Sequence, residues 1–454
     1  MAKKKQIELT IEEKLQNALV PKEEQPYKIP SNWCWTYIHN IAIVVTGKTP
    51  SKKNKEYYGG KFPFFKPADL DAGRNMQYAT EYLSEKGKSI SVIIPEKSTG
   101  ICCIGTIGKC GYFLVEGTTN QQINTVISKI NPLYSYYFFN TNSFVRELIS
   151  KASATTIAIV NKSKLESCLF PVAPLNEQQR IVNRIESLFA KLDRAKELIE
   201  NTLAQFEENK MAILHKAFTG ELTVKWRKEK GILKDTWKSM ALENCGTWSG
   251  GGTPSMSCGD YWENGNIPWI TSKDMKNIYI EKTQKYITEK GVECSSAKYI
   301  DKPAILFVTR SGILRRIFPV CMVKIPFTVN QDLKVLVPSK MVCLEYLYWI
   351  CIYKSNKILG TCMKSGTTVE SISTDKLKKF KITVPTIEEQ QEIVNILDKL
   401  LAKYNKIKNL EQQLEKIELL KKAILAKAFR GELGTNNPDE ESAENLLKEI
   451  LAEK

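Results

Sequence analysis

The sequence predicts an α+β protein in which two sheet-containing blocks are separated by two long helices that pair as an antiparallel coiled coil, with a pseudo-two-fold internal repeat. The first observation behind this is that the chain matches itself in order. Trp33 falls on Trp237, Gly47-Lys48-Thr49-Pro50-Ser51 on Gly251-Gly252-Thr253-Pro254-Ser255, Asp69 on Asp274, and Asn120-Gln121 on Asn330-Gln331. Further on, Thr155-Thr156 falls on Thr367-Thr368, Glu177-Gln178-Gln179 on Glu389-Gln390-Gln391, and Lys216-Ala217-Phe218 on Lys427-Ala428-Phe429, with offsets between 204 and 212. A period that long marks a duplicated domain, not a solenoid. The second observation is a heptad seam in each half. Ile181, Ile185, Leu188, Leu192, Ala195, Ile199, Thr202, Phe206, Asn209 and Ile213 follow a 4-3 spacing; Ile393, Leu397, Leu400, Tyr404, Ile407, Leu410, Leu414, Ile417, Leu420 and Ile424 follow the same seam, with the spacing shortening between Ile407 and Leu410. Third, the segments between the seams hold short β-rich runs such as Ile38 to Val45 and Lys334 to Val337, bounded by Gly, Pro and Asn turns, with no βαβ alternation.

In chain order, residues 1–30 read as an N-terminal helical segment and 31–173 as the first block. Within that block, Asn131-Pro132-Leu133-Tyr134 reads as a helix start. Pro174 and Glu177 open the central helix, 174–220, and Gly220 ends it, because acidic residues suit the positive end of a helix and glycine takes the left-handed cap. Residues 221–237 link to the second block, 238–384. Pro385, Glu388 and Glu389 open the distal helix, 385–433, which Gly431 ends. About 40 residues at a rise of 1.5 Å make each helix a rod of roughly 60 Å. The tail, 434–454, is acidic, with an amphipathic pattern at Leu446, Leu447, Ile450 and Leu451; it reads as a solvated end in preference to a docking helix.

At 454 residues the chain exceeds a single ordinary core. The formal net charge of +16 sits entirely in the two blocks, which carry +7 and +9. Basic modules are the electrostatic footprint of a polyanion. No apolar run is long enough to span a bilayer, and MAKKKQIELT has no signal-peptide core, so a cytoplasmic protein without a membrane is expected. Twelve cysteines without a C-x-x-C pair, beside only two histidines, argue for packed thiols and against a metal site. Neither a phosphate loop nor a dinucleotide loop is present, and of the two histidines, His39 and His215, the latter lies in the coiled coil and reads as a solvated or packing side chain; no catalytic residue is expected.

Two variable blocks alternating with two matched helices, with the Gly-x-Thr-Pro-Ser openings, the Asn-Gln turns and the Glu-Gln-Gln helix starts, resemble the specificity (S) subunit of type I restriction-modification systems. The resemblance runs from Leu9 to Leu433 and includes the linker residues Trp226 and Arg227. It implies that each block is a target-recognition domain reading one half of a bipartite, asymmetric site in double-stranded DNA. It also implies that the helices set the spacing and bind two methyltransferase subunits, which restriction/translocase subunits join. The chain itself would be non-catalytic and hold no cofactor, with S-adenosylmethionine, ATP and magnesium on the partner subunits. The repeated helix starts, Glu177, Gln178, Gln179, Glu389, Gln390 and Gln391, are then expected to grip partners.

Arginine pairs with guanine, Asn and Gln with adenine, while Lys, Ser and Thr mostly hold phosphates. That chemistry selects Lys48, Thr49, Ser51, Lys52, Lys53, Lys66, Lys109, Asn120 and Gln121 in the first block. It selects Thr253, Ser255, Lys273, Arg310, Arg315, Arg316, Asn330 and Gln331 in the second. For the matched pairs among them, a framework role is the equal alternative. Two other readings compete: a stand-alone DNA-modifying enzyme with an unrecognised active site, and a basic coiled-coil adaptor.

Overall fold

Two sets of strands pair in the same order, one in each half of the chain. In the computed structural model, residues 9–153, 158–365, 369–402 and 407–453 are described, without the side chains of 407 and 408. The repeat match between Thr155-Thr156 and Thr367-Thr368, Tyr404 and the side chain of Ile407 lie outside them. In the first module, Cys34–Tyr37 pairs antiparallel with Leu169–Val172, tying the beginning of the module to its end. A four-stranded sheet runs in the order Ala42–Thr46, Ile123–Ser128, Thr99–Cys102, Cys110–Tyr112, and a three-stranded sheet in the order Glu81–Leu83, Tyr58–Phe65, Thr118–Thr119. The second module repeats this. Lys238–Ala241 pairs with Lys381–Val384; the larger sheet is Gly246–Gly250, Leu333–Pro338, Ala304–Val308, Val320–Val323; the smaller is Lys285–Ile287, Ile267–Ile270, Thr328–Val329. The sequence repeat is thus a repeat of topology.

The central helix spans Leu175–Phe218, and the distal one is described as Ile387–Leu401 and Ile407–Ala428. Gly220 and Gly431 follow their ends in the left-handed region, at φ +82° and +73°, as the terminating glycines predict. The chain divides into two compact units, Met1–Ile199 with Glu411–Lys454, and Glu200–Leu410. Within the first unit, Lys196 Nζ lies 3.1 Å from Glu418 Oε1 and Lys421 Nζ 2.5 Å from Asp193 Oδ1. A later residue on one helix meets an earlier one on the other, so the pairing is antiparallel.

Each unit therefore builds its core from one module, the start of one helix and the end of the other. In the first unit Ile181, Val182 and Ile185 share a cluster with Leu425, Ala428 and Phe429; in the second, Ile393, Val394 and Leu397 share one with Leu214, Ala217 and Phe218. The repeated Lys-Ala-Phe has a packing reason. Phe429 lies 4.9 Å from Tyr134 and 5.2 Å from Phe138, ring centre to ring centre, and Phe218 lies 5.4 Å from Tyr346 and from Tyr353. Those partners sit on the aromatic helices Pro132–Phe139 and Leu344–Tyr353. The first of these starts as expected: Asn131 Oδ1 accepts from Leu133 N at 3.0 Å and Tyr134 N at 3.2 Å, with Pro132 in the first turn.

Three expectations need correction. Residues 9–30 are not helical throughout: they hold one α-helix, Ile11–Ala18, closed by a capping box between Thr10 and Glu13, and then a short 3₁₀ turn, Lys22–Glu24. Seam residues Asn209, Leu400 and Leu420 are exposed, because near their ends the helices turn a broader face, including Leu401 and Leu425, onto the modules. Finally, the tail is not a solvated end. It forms the helix Ala443–Ala452, whose Ala443, Leu447, Ile450 and Leu451 are buried in the core of the first unit along with Leu15 and Ala18.

Candidate nucleic-acid interface

Strand register gathers the selected residues. In the first module Thr46 faces Asn124, Cys102 faces Ile123, and Ile101 faces Cys110. The loops 47–54, 103–109 and 120–122 consequently leave the larger sheet at one end. Phe65 pairs with Thr119, and Asn120 N donates to Phe65 O at 3.2 Å, which brings Lys66 to the same end. The second module does likewise: Gly250 faces Lys334, Val308 faces Leu333, Phe307 faces Val320, and Asn330 N donates to Ile270 O at 3.0 Å. Loops 251–255, 309–319 and 330–332, with Lys273, collect there. Loops at one end of a rigid sheet are a common place for binding side chains.

Within that end the selected residues separate into framework and exposed surface. Thr49 Oγ1 donates to Gln121 Oε1 at 2.5 Å, and Thr253 Oγ1 to Gln331 Oε1 at 2.5 Å, so both Thr-Pro-Ser loops are latched to the Asn-Gln turns in the same way. The approach is close: a Cβ on Gly47 would lie 2.3 Å from Asn120 O, and one on Gly251 only 1.9 Å from Val329 O, which is why glycine opens both loops. Asn120 and Asn330 are corrections. Both are buried, and their amides stay within the turn, reaching Gln122 Oε1 at 2.9 Å and Asp332 Oδ2 at 3.2 Å; they shape the loop and present no edge to a base. Lys66 pairs with Glu81 at 2.6 Å and Lys109 with Asp71 at 2.7 Å. Asp69 and Asp274, matched in sequence, cap equivalent turns, accepting from Lys66 N and Thr271 N.

The exposed residues are Lys48, Ser51, Lys52, Lys53 and Gln121 in the first module, and Ser255, Lys273, Arg310, Arg315, Arg316 and Gln331 in the second, the two glutamines being held by the threonine latches and Arg315 by an ion pair with Glu370. The modules hence share a scaffold but place their positive charge differently. In the first it rides on the Thr-Pro-Ser loop; in the second, where that loop continues with Met256, Ser257 and Cys258, arginines of loop 309–319 carry it.

The Glu-Gln-Gln helix starts do something the sequence did not disclose. Glu177 and Gln178, like Glu389 and Gln390, are fully buried. Glu177 accepts from Trp33 Nε1 at 2.7 Å and Asn436 Nδ2 at 2.8 Å. Glu389 accepts from Trp237 Nε1 at 2.8 Å, Thr223 Oγ1 at 2.6 Å and Arg227 Nη1 at 2.5 Å. The glutamines clamp the modules: Gln178 Oε1 takes Asn131 N at 3.0 Å while its amide donates to Ala173 O at 2.8 Å, and Gln390 Oε1 takes Cys343 N at 2.8 Å. As partner contacts these four are corrected, since buried polar groups already satisfied inside the fold cannot face another protein. Only Gln179 and Gln391 stay exposed. The matched Trp33 and Trp237 were the signal for this role. Of the two histidines, His215 is exposed on the central helix, its Nδ1 3.0 Å from the Tyr353 hydroxyl, and His39 Nδ1 lies 3.1 Å from Glu166 O.

Fold and site together define a duplicated two-module binding protein whose repeated parts are framework and whose loop ends differ. Residues 30–205 and 234–419 match the type I restriction modification DNA specificity domain, and the chain belongs to that family. It is 34% identical over 281 residues to the type I restriction enzyme EcoR124I/EcoR124II specificity subunit of Escherichia coli, a match that spans 60% of this chain and 64% of that one. To the EcoKI specificity subunit of Escherichia coli strain K12 it is 26% identical over 462 residues, spanning 94% and 96%. A solved chain from a study of assembly and conformational transition in the type I R-M system shares the fold, at a TM-score of 0.67 and 19% identity over 90% of this chain and all of that one. Among the described residues, no helix is long and apolar enough to cross a membrane.

Proposed function

We propose that this chain is the DNA-recognition and scaffold subunit of a type I restriction-modification complex, without catalysis of its own. Each module reads one half of a bipartite site, and the paired helices set the interval between halves and carry methyltransferase subunits, which restriction subunits join. On this reading S-adenosylmethionine, ATP and magnesium act on those partners. The observation that carries the proposal is the division inside each module: one scaffold used twice, with the exposed basic side chains moved from one loop to another. Two independent readers on a common frame are what an asymmetric split target requires. Phosphate contacts from the exposed lysines would make binding fall steeply with salt, with a slope of about −0.9 per phosphate neutralised.

The test is an exchange of residues 238–384 for the corresponding module of a relative, followed by mapping of methylated adenines in cells that carry the methyltransferase partner. One half of the recognised sequence is expected to change while the other half and the gap stay. A change in both halves would refute independent reading. Methylation or cleavage by the purified chain alone would refute the non-catalytic role.

A further inference from the structure

The two modules offer an internal comparison at the loop that follows the third strand of each larger sheet. In the first it is residues 103–109, and in the second residues 309–319, which is longer. The scaffold beneath is the same. Val160 N donates to Cys103 O at 2.9 Å and Gly105 N to Ala158 O at 3.4 Å; in the second module Ile372 N donates to Thr309 O at 2.8 Å and Ser311 N to Glu370 O at 3.0 Å. Ala158 and Glu370 thus occupy equivalent positions. The longer loop carries Arg315 at the end of the turn Gly312–Arg315, and Arg315 Nε donates to Glu370 Oε1. An arginine and the carboxylate that holds it are therefore present together in one module and absent together from the other.

We infer that Glu370 is a positioning residue that holds Arg315 to read a guanine in the half-site of the second module; the inference rests on the DNA-reading role proposed above. Glu370 stands on a firm base. The neighbouring Ile372 is buried, Ser373 N donates to Cys362 O at 2.8 Å, and Lys364 N donates to Ser371 O at 2.8 Å. Its side chain is 19% exposed against 70% for Arg315, so the carboxylate sits at the surface of the module and the guanidinium projects from it. The hydrogen bond from Arg315 holds the carboxyl of Glu370 below the usual carboxylate range, which keeps the pair charged. Guanidinium is a planar fork of five N–H donors. Contact through Nε leaves both terminal nitrogens free, and these make the two-pronged contact to guanine O6 and N7. As a bare surface ion pair this would contribute little to stability; its use is to fix the plane of the fork before DNA arrives.

The probe is a pool of double-stranded DNA randomised over both half-sites, bound by the full chain together with its methyltransferase subunits. Glu370→Ala installs the residue that the first module has at this position, so the scaffold accommodates it. It is expected to relax a single guanine position in one half of the selected motif by roughly tenfold and leave the other half intact. Arg315→Ala should relax the same position, the double variant no further, and Glu370→Gln, which keeps an acceptor, should retain part of the preference. Identical motifs for the unaltered chain and Glu370→Ala overturn the inference. So does relaxation at a position that Arg315→Ala leaves intact, or loss spread over both halves. An unaltered complex that selects no motif overturns the DNA-reading proposal itself, so the two failures are distinguishable.

Discussion

Truncating the chain after Gly434 is expected to destabilise the first unit by on the order of 5 kcal/mol while leaving the unfolding of the second in place. The helix Ala443–Ala452 inserts Ala443, Leu447, Ile450 and Leu451 into the core, all at most 5% exposed. Burying a leucine or isoleucine contributes about 1.5–3 kcal/mol each, an upper range because unfolded chains already bury part of that surface. Polar losses add to this. Asn436 Nδ2 bridges Asn32 Oδ1 at 2.9 Å and Glu177 Oε2 at 2.8 Å, so its removal withdraws a donor from a buried carboxylate. Arg180 grips Glu440 with both terminal nitrogens, at 2.6 and 2.7 Å, and this hydrogen bond lowers the Glu440 pKa. The sign follows: the contribution of the pair is complete above the unfolded carboxylate pKa and is lost as pH falls through the lowered one. Leu447→Ala alone should cost about 2–5 kcal/mol. Hydrogen exchange resolved over 11–18 and over 344–353 checks the claim; protection of 11–18 that survives truncation would sink it.

That tail shows where the sequence stopped being readable. Its amphipathic pattern was visible, but a pattern of four apolar residues does not say whether a partner exists, and the partner, Leu15 and Ala18, lies more than 400 residues away in the chain. The long helices and their ends were legible because heptads, prolines and terminating glycines act locally. The loop ends of the sheets were legible through the matched Gly-x-Thr-Pro-Ser and Asn-Gln motifs, yet the repetition that exposed them also hid what they do. Charged and amide residues repeated at helix starts look like a surface meant for a partner. Only the fold reveals that Trp33, 144 residues upstream, donates to Glu177. Asn120 and Asn330 fell to the same limit, since burial of a short polar side chain in a turn depends on backbone from a neighbouring strand. The exposed arginines of loop 309–319 were readable because they sit where the repeat breaks.

The buried carboxylates of the helix starts give the sharpest comparison. Glu389→Ala is expected to cost the second unit about 3–5 kcal/mol, because it leaves the guanidinium of Arg227 in the interior without its counter-charge. In that pair the side chains are 8% and 0% exposed, and the remaining contacts of Arg227 are neutral: Thr223 Oγ1 at 2.7 Å and Gly220 O at 2.7 Å. Glu177→Ala should cost the first unit less, about 1–3 kcal/mol, since the donors it strands are the indole of Trp33, the amide of Asn436 and the hydroxyl of Thr435, all uncharged. Both glutamates take the same hydrogen bond from an equivalent tryptophan, so the difference between the two substitutions isolates the charge on Arg227. Arg227→Met combined with Glu389→Ala should then be milder than Glu389→Ala alone, as the second change removes the stranded cation that makes the first severe. Urea unfolding followed unit by unit measures all three. Equal losses for Glu389→Ala and Glu177→Ala, or a double variant worse than the single, would show that the tryptophan hydrogen bond and not the buried ion pair holds the second helix start in place.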